Sequence, residues 1–227
     1  MAERHRFPDG QSAAHALADR VVEDLTQAIA TRGDGVLVVS GGRTPRLFFE
    51  ALSGRDLDWS RVTITLADER WVPETNARSN AALVRSALLR NKAAFARFQP
   101  LFIDGQTPHA VAAMPPAPLR HLLDRGFDSV VLGFGLDGHF ASIFPGPDLL
   151  PIALDPAAPP GLLATRSTET KEPRLTFNLA AFMTAKRVYL QSQGAEKHSM
   201  LMKETLNEQT PLALLLAQRS LFIFDVE

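Results

Sequence analysis

The sequence contains no cysteine, and this absence excludes several chemistries at once. Disulfide bonds, thiolate metal sites and cysteine nucleophiles are all ruled out. An excess of charge of either sign is also lacking, because 24 Lys and Arg residues face 25 Asp and Glu residues, for a formal net charge of -1. This balance gives no reason to expect nucleic acid or an anionic membrane surface as a partner.

Long apolar segments are lacking as well. No apolar run approaches the roughly 18 residues that a membrane-spanning helix needs. The first ten residues, MAERHRFPDG, do not contain the apolar stretch of a secretory signal peptide. We therefore expect a soluble cytoplasmic protein, with no membrane and no nucleic acid as partner.

The 227 residues, 45% of them hydrophobic, are enough for one domain with a sizeable core, and we predict a single domain over 1–227. Apolar residues spaced by three and four predict an amphipathic helix over 12–31. Strands that alternate with helices predict an α/β fold with a mostly parallel sheet flanked by helices. The predicted strands are 35–40, 62–67, 129–132, 162–166, 187–191 and 221–224, and further helices are predicted at 79–89 and 196–206.

Two proline-rich segments, 114–118 and 145–161, interrupt this alternation. The second has the composition of an interdomain linker, but too little chain follows it for a separate domain. A long surface loop near a functional site is the better interpretation.

The first predicted strand runs into SGGRTP, residues 40–45. Thr44 is a suitable N-cap, and Pro45 suits the first helical position. Gly41 and Gly42 allow backbone N–H groups to face an anion at the helix N-terminus, as in a phosphate-binding loop. A tight strand-to-helix connection explains the same glycines equally well. The segment is not a P-loop, because the G-K-[ST] ending is absent.

Three charged residues, Asp68, Glu69 and Arg70, follow the predicted strand 62–67. Ligands bind at the carboxyl ends of the strands in open parallel sheets, which favours a functional role for charges at this place. Arg70 is suited to a phosphate or carboxylate, and the two acids to holding it or to acid–base work. The alternative is a solvated charge cluster.

The stretch VVLGFGLDGH, residues 130–139, has the G-x-G-x-x-G spacing of a dinucleotide-binding turn. That turn also requires a helix after the third glycine and an acidic residue about 20 positions later. Pro145 and Pro147 curtail any long helix, and the acid at that distance, Asp155, lies in the proline-rich segment. We attribute the spacing to coincidence.

What remains in this stretch is a strand end that presents Asp137 and His139. An aspartate can fix the tautomer of a neighbouring histidine, which can then deprotonate a water molecule. A capping aspartate, a structural histidine and a metal site are the alternatives, although two ligands are too few for zinc. The remaining histidines show no metal-ligand spacing, and a structural or exposed role is expected for each: His5, His15, His109, His121 and His198.

Together and in this order, the motifs resemble the glucosamine-6-phosphate isomerase/6-phosphogluconolactonase family, and within it the lactonases. The resemblance extends over nearly the whole chain. It implies a Rossmann-like, sugar-isomerase fold. It also implies hydrolysis of 6-phospho-D-glucono-1,5-lactone to 6-phosphogluconate, the second step of the oxidative pentose phosphate pathway. The matching segments are SGGRTP at 40–45, DERWVP at 68–73 with Ser79 and Asn80, LGFGLDGHFASIFPG at 132–146, Arg174-Leu175-Thr176 and Gly194-Ala195-Glu196-Lys197.

The related glucosamine-6-phosphate deaminases share the fold, the Gly-Gly loop and the Asp-Gly-His motif. They carry a catalytic Glu where this chain has Phe144, and usually Asp-Glu-Tyr where it has Asp68-Glu69-Arg70. Both differences favour the lactonase. Departures from the lactonase pattern remove no ionisable group that the chemistry needs; they are Arg43, Phe134, Phe140 and Asn178.

A lactone is an activated ester, so the predicted reaction needs no cofactor and no metal. With the resemblance we expect a small-molecule substrate, the phosphorylated lactone, and a monomer or weak homodimer. On this resemblance, His139 is the general base and Asp137 orients its imidazole. Arg70, Arg174 and Lys197 are the leading candidates for the 6-phosphate, although an exposed helical lysine is the alternative for Lys197. Asp68 and Glu69 either touch substrate or orient Arg70. The predicted substrate-binding set is Gly41, Gly42, Arg43, Thr44, Asp68, Glu69, Arg70, Arg174 and Lys197, with Arg46 and Arg78 as weaker candidates.

Two other classes stay open at this point. A non-catalytic sugar-phosphate-binding module would bind the product without opening the lactone. A nicotinamide-dependent oxidoreductase is the third possibility, supported only by the glycine spacing.

Overall fold

The computed structural model of the protein describes residues 3–146, 151–167, 171–202, 210–218 and 221–226. Two short 3₁₀ helices, Trp59–Arg61 and Asn91–Phe95, accompany the regular elements. The strands are β1 (Glu3–Phe7), β2 (Gly35–Val39), β3 (Val62–Leu66), β4 (Asp68–Arg70), β5 (Arg97–Gln99), β6 (Ser129–Leu132), β7 (Leu162–Arg166), β8 (Pro173–Phe177), β9 (Arg187–Gln193) and β10 (Leu221–Val226). The α-helices are α1 (Gly10–Arg32), α2 (Pro45–Ser53), α3 (Asn80–Ala87), α4 (Pro108–Ala113), α5 (Ala117–Arg125), α6 (Pro151–Leu154), α7 (Leu179–Phe182), α8 (Ala195–Met202) and α9 (Pro211–Leu216).

The main sheet has seven strands in the order β1-β10-β9-β6-β2-β3-β5, and every neighbouring pair in it is parallel. Parallel strands need crossover connections, which helices supply, so helices cover the sheet. All residues of β2 and β6 are buried, as expected for central strands covered on both faces. The predicted α/β fold with a mostly parallel sheet is confirmed.

The first helix, α1, begins and ends on recognisable signals. The Asp9 carboxylate accepts a hydrogen bond from the backbone N–H of Ser12, and Gly33 closes the helix at φ 86°. One face packs on the sheet through fully buried apolar side chains such as Leu17 and Leu25. The helix predicted over 12–31 is confirmed, with the ends at Gly10 and Arg32.

A second, three-stranded antiparallel sheet has the order β4-β8-β7. The segment predicted as a strand at 162–166 belongs to this sheet rather than to the parallel one. Its neighbour β8 had no sequence prediction, and neither had the short strands β4 and β5 or the edge strand β1. This small sheet matters for function, because it brings Asp68, Arg70 and Arg174 to the edge of the main sheet.

Three further sequence expectations change in detail. The helix expected at 196–206 is α8, and residues 203–206 of that expectation lie outside the described residues. The proline-rich segment 145–161 contains the one-turn helix α6, and its residues 147–150 are also outside the described part. Thr44 precedes α2 as predicted, but its side chain makes no capping hydrogen bond, whereas Pro45 does occupy the first turn. Among the helices of the described residues, none is both long and apolar enough to cross a membrane.

Candidate active site

A cavity of about 690 Å³ lies where the loops after the parallel strands meet the small antiparallel sheet. Carboxyl ends of parallel strands are the usual ligand sites of open α/β sheets. Of the residues predicted for the site, all but Asp137 and Glu69 line this cavity. The lining is drawn from 40–45 after β2, 133–136 and His139 after β6, 193–197 after β9, and Asp68, Arg70 and Arg174 from the antiparallel sheet.

His139 and Asp137 form a close pair in the loop after β6. The Oδ1 atom of Asp137 lies 2.5 Å from Nδ1 of His139, and 3.2 Å from its backbone nitrogen. Gly135 makes room for this pair, because a Cβ atom there would come within 2.3 Å of the His139 ring and 2.6 Å of Asp137 Oδ1. The glycine that suggested a dinucleotide site is therefore required by the packing of the histidine.

The pairing fixes the chemistry of the imidazole. An ionised carboxylate can only accept a hydrogen bond, so Nδ1 of His139 carries the proton and Nε2 is left with a lone pair. The hydrogen bond from His139 holds the pKa of Asp137 below its ordinary value, which keeps the carboxylate ionised at neutral pH. The Phe144 ring packs against the imidazole with 4.8 Å between centroids, so the neighbour of His139 at this side is apolar.

Arg70 and Arg174 stand directly opposite each other in the register of β4 and β8, and both line the cavity. Like charges directly opposite on a sheet are destabilising, and carboxylates of Asp68 and Glu172 lie 3.7 Å and 3.5 Å from the Arg174 guanidinium. Within the described part of the chain, the buried Nε atoms of both guanidiniums have no hydrogen-bond partner. The pair is therefore well suited to an anionic ligand.

Asp68 supports Arg174 rather than Arg70. Its carboxylate accepts a hydrogen bond of 2.5 Å from the Ser142 hydroxyl and lies 3.7 Å from an Arg174 nitrogen. The Arg70 guanidinium instead donates to the backbone carbonyl of Arg78. Burial lowers the pKa of Arg174, which nevertheless stays charged as arginines do in proteins. The expectation that Asp68 orients Arg70 is corrected accordingly.

Glu69 was predicted to bind substrate or orient Arg70, and the structure assigns it to the scaffold. Its side chain is fully buried, and its two oxygens accept hydrogen bonds from the Ser79 hydroxyl and from the backbone N–H groups of Arg70, Asn80 and Ala81. A carboxylate at the first turn of α3 is favoured by the helix dipole. Burial raises the pKa of Glu69 against the opposing effect of these hydrogen bonds. The alternative of a solvated charge cluster is also wrong, since Asp68 and Glu69 are both buried.

The Gly41–Gly42 loop forms the wall of the cavity next to α2. A Cβ atom at Gly41 would fall 1.9 Å from the Asn80 side-chain oxygen, so only glycine fits beside that amide. The Asn80 amide in turn donates to the backbone carbonyl of Asp68. Arg43 is exposed and Thr44 half-buried at the rim of the same wall.

Lys197 lies in the first turn of α8 and lines the cavity from the side of β9. It is half-buried, with Nζ 5.1 Å from the centroid of the buried Phe134 ring, so the alternative of an exposed helical lysine is wrong. Burial lowers the pKa of Lys197, and the positive charge of Arg43 lowers it further. Two cations held close together, one of them half-desolvated, again indicate an anionic ligand.

The two weaker candidates are not brought to the cavity. Arg46 pairs with Glu50 along α2, with 3.1 Å between Nε and Oε1, and Arg78 pairs with Glu172 at 2.6 Å.

Sequence reasoning did not single out Ser142, the hydroxyl partner of Asp68, although it lies within the quoted segment 132–146. No group of three or more His, Asp or Glu residues that could hold a metal ion occurs among the residues that the structure describes.

The chain matches a known protein family over most of its length. The model of the family described as "Glucosamine-6-phosphate isomerases/6-phosphogluconolactonase" matches residues 8–223. A 6-phosphogluconolactonase of Rhizobium meliloti is 46% identical over 200 residues, covering 88% of this chain and 86% of the relative. A 6-phosphogluconolactonase of Neisseria meningitidis serogroup A is 41% identical over 217 residues, covering 93% of each protein.

A solved structure gives the same likeness in three dimensions. The crystal structure of a 6-phosphogluconolactonase from Shewanella baltica superposes with a TM-score of 0.89 and 35% sequence identity. The superposition covers 100% of this chain and 97% of the other. The similarity therefore extends over the whole chain.

Proposed function

The chain belongs to the glucosamine-6-phosphate isomerase/6-phosphogluconolactonase family, and on that premise we propose that it hydrolyses 6-phospho-D-glucono-1,5-lactone to 6-phosphogluconate, with His139 as the general base. The single observation that carries the proposal is the His139–Asp137 pair beside a cavity that four cationic side chains line. They are Arg43, Arg70, Arg174 and Lys197, and the acids Asp68 and Glu196 line the same cavity. A hydrolase that acts on a phosphorylated neutral ring needs both features. The reaction class follows from the lone pair on His139, and the substrate charge from the arginines and Lys197.

The attacking water is deprotonated by Nε2 of His139 as its oxygen bonds to the lactone carbonyl carbon. Asp137 stabilises the imidazolium that forms, because its carboxylate already accepts the Nδ1 hydrogen bond. The tetrahedral intermediate then expels the ring oxygen, which takes the proton back from His139. The open-chain acid ionises, and the enzyme returns to its starting protonation state.

The 6-phosphate is assigned to the Gly41–Gly42 loop, Arg70, Arg174 and Lys197. Guanidinium groups suit phosphate oxygens because they donate two parallel hydrogen bonds, and backbone N–H groups of a glycine loop add further donors. Asp68 keeps Arg174 in place through its contact of 3.7 Å. Asn80 and Thr44 stand on the same wall as the glycine loop.

Phe144 supports the lactonase over the deaminase within the family. It packs against His139 at a centroid distance of 4.8 Å and lies under the Arg174 guanidinium at 5.5 Å. A carboxyl group in its place would add a second acid beside the base. The phenyl ring instead leaves the imidazole as the titratable group that faces the carbonyl.

A direct assay tests the proposal. Lactone opening is followed at pH 6–7 with freshly generated phosphorylated lactone, because spontaneous hydrolysis is slower there and must be subtracted. We expect catalysed opening, with kcat/KM for the phosphorylated lactone exceeding that for unphosphorylated gluconolactone. Binding of 6-phosphogluconate without acceleration would identify a non-catalytic binding module, and ammonia release from glucosamine 6-phosphate would identify a deaminase.

A further inference from the structure

A second histidine–aspartate pair lies outside the cavity and joins α8, the helix that carries Lys197, to strand β10. The Nδ1 atom of His198 is 2.7 Å from Oδ2 of Asp225, and the side chain of Asp225 is 1% exposed. The proposed mechanism does not use this pair. We propose that His198 is a positioning residue, which anchors the first turn of α8 on Asp225 so that Lys197 faces the phosphate of the substrate; this inference rests on the proposed function.

The connection between β9 and α8 makes such an anchor necessary. One residue, Gly194, joins the last residue of β9 to the first residue of α8. The backbone holds this junction through Gly194 N–H donating to the Val226 carbonyl at 3.0 Å, and through His198 N–H donating to the Gly194 carbonyl at 3.0 Å. Neither of these bonds fixes where the side chains of the first turn point.

His198 supplies that control because it directly follows Lys197. Successive residues on an α-helix point about 100° apart, so fixing one side chain fixes the direction of the next. Lys197 lines the cavity while His198 reaches Asp225 on the neighbouring strand β10. Rotation of the helix by a fraction of a turn would break the His198 contact and move Lys197 away from the cavity at the same time.

Asp225 is a firm attachment point. It lies within β10, whose neighbours β1 and β9 pair with it on both sides at Arg6 and Ser192. A nearly fully buried carboxylate needs a hydrogen-bond donor, and His198 provides one. The far end of α8 is held separately, since the Arg4 guanidinium donates to the Leu201 carbonyl at 2.9 Å. The helix is therefore fixed at both ends, and His198 is the anchor at the cavity end.

The test compares two amides that place their N–H groups differently. In His198→Asn the amide nitrogen takes the approximate position of Nδ1, whereas in His198→Gln it lies one bond further out. We expect His198→Gln to raise KM for the phosphorylated lactone about tenfold, the scale of losing a hydrogen bond to a charged group. His198→Asn should restore KM to within about threefold of the parent on the same basis. The value of kcat, and kcat/KM for unphosphorylated gluconolactone, should change less than about twofold in both variants.

Several outcomes would overturn the inference. Equal changes in KM for both lactones would mean that His198 supports the whole fold and not the phosphate site. No change in His198→Gln, or no recovery in His198→Asn, would remove the anchoring role. A third variant, His198→Ala, removes both the hydrogen-bond donor and the ring. The melting temperature of every variant is recorded, so that unfolding is distinguished from loss of affinity.

The same variants distinguish the two proposals. A parent protein that does not accelerate lactone opening contradicts the proposed function. In that case calorimetric titration with 6-phosphogluconate still tests the anchor, with the same order of affinities expected: parent, then His198→Asn, then His198→Gln. Equal affinities in the three proteins would contradict the inference alone.

Discussion

The two histidine–aspartate pairs of this protein, His139–Asp137 and His198–Asp225, are joined in the same way and lie in different surroundings. Both use Nδ1 of the imidazole, at 2.5 Å and 2.7 Å from the carboxylate oxygen. The side chain of Asp137 is 43% exposed and that of Asp225 is 1% exposed. One pair is therefore open to the cavity and solvent, and the other belongs to the packed junction of α8 with the sheet.

This difference shows that the pairing itself does not define a catalytic site. In each pair the aspartate fixes the tautomer, so the surroundings of the remaining nitrogen decide the role. His139 lines a cavity together with Arg174 and Lys197, and its side chain is 31% exposed. His198 is attached to a buried strand residue and acts through the helix that it holds.

The strongest test of the comparison is removal of the open histidine. We expect His139→Ala to lower kcat by about 10²–10⁴-fold, the usual contribution of a general base, with little change in 6-phosphogluconate binding. Lactone hydrolysis and calorimetric binding are the measurements. His121→Ala is the matched control, because His121 is exposed on α5 and remote from the cavity lining. Near-parental kcat in His139→Ala would reject this histidine as the base and leave the two pairs without a functional difference.

The second test removes the charge of the open aspartate. In Asp137→Asn the amide oxygen can still accept the Nδ1 hydrogen bond, but the imidazolium loses its stabilising carboxylate. We expect kcat to fall by about 10- to 100-fold, less than in the loss of the base itself, with KM nearly constant. The folded state should tolerate the change, because Asp137 is partly exposed. A melting temperature lowered in proportion to kcat would place Asp137 with the buried pair as a structural residue.

Local patterns explain which of these features could be predicted from sequence. Asp137 and His139 are two residues apart, so the turn that joins them was enough to suggest their contact. His198 and Asp225 are 27 positions apart and meet only because β10 lies beside β9. Periodicity likewise predicted α1, whose apolar face is continuous along the chain. It could not predict the short strand β5, because three residues show no period.

The wrong roles predicted for Asp68 and Glu69 have the same cause, which is contact between segments that are distant in sequence. Asp68 and Glu69 were correctly placed at the end of a buried strand, but their partners come from elsewhere in the chain. The Glu69 oxygens are taken up by the first turn of α3, and Asp68 meets Ser142 and Arg174 through the antiparallel sheet. The register of β4 against β8, which sets Arg70 opposite Arg174, is a tertiary property that no spacing within either segment encodes.

The smallest expected effect concerns the cation that the buried pair orients. Burial and the charge of Arg43 lower the pKa of Lys197, so its ammonium loses the proton at a lower pH than an ordinary lysine does. A phosphate dianion binds the charged form, and affinity is therefore full below the lowered pKa and declines as pH rises through it. We expect the Kd of 6-phosphogluconate to rise about 3- to 10-fold between neutral and alkaline pH. This is the effect expected from the loss of one charged hydrogen bond.

The product is the suitable ligand for this measurement, because it does not hydrolyse at alkaline pH as the lactone does. Lys197→Arg is the control: a guanidinium keeps its charge throughout the range, so the rise in Kd should disappear. Arg70 and Arg174 also stay charged, which leaves Lys197 as the titrating cation among the leading phosphate candidates. A rise of Kd that persists in Lys197→Arg would assign the titration to another group. That result would contradict the contact of Lys197 with the phosphate. It would also contradict the role of the His198–Asp225 pair, which acts through Lys197.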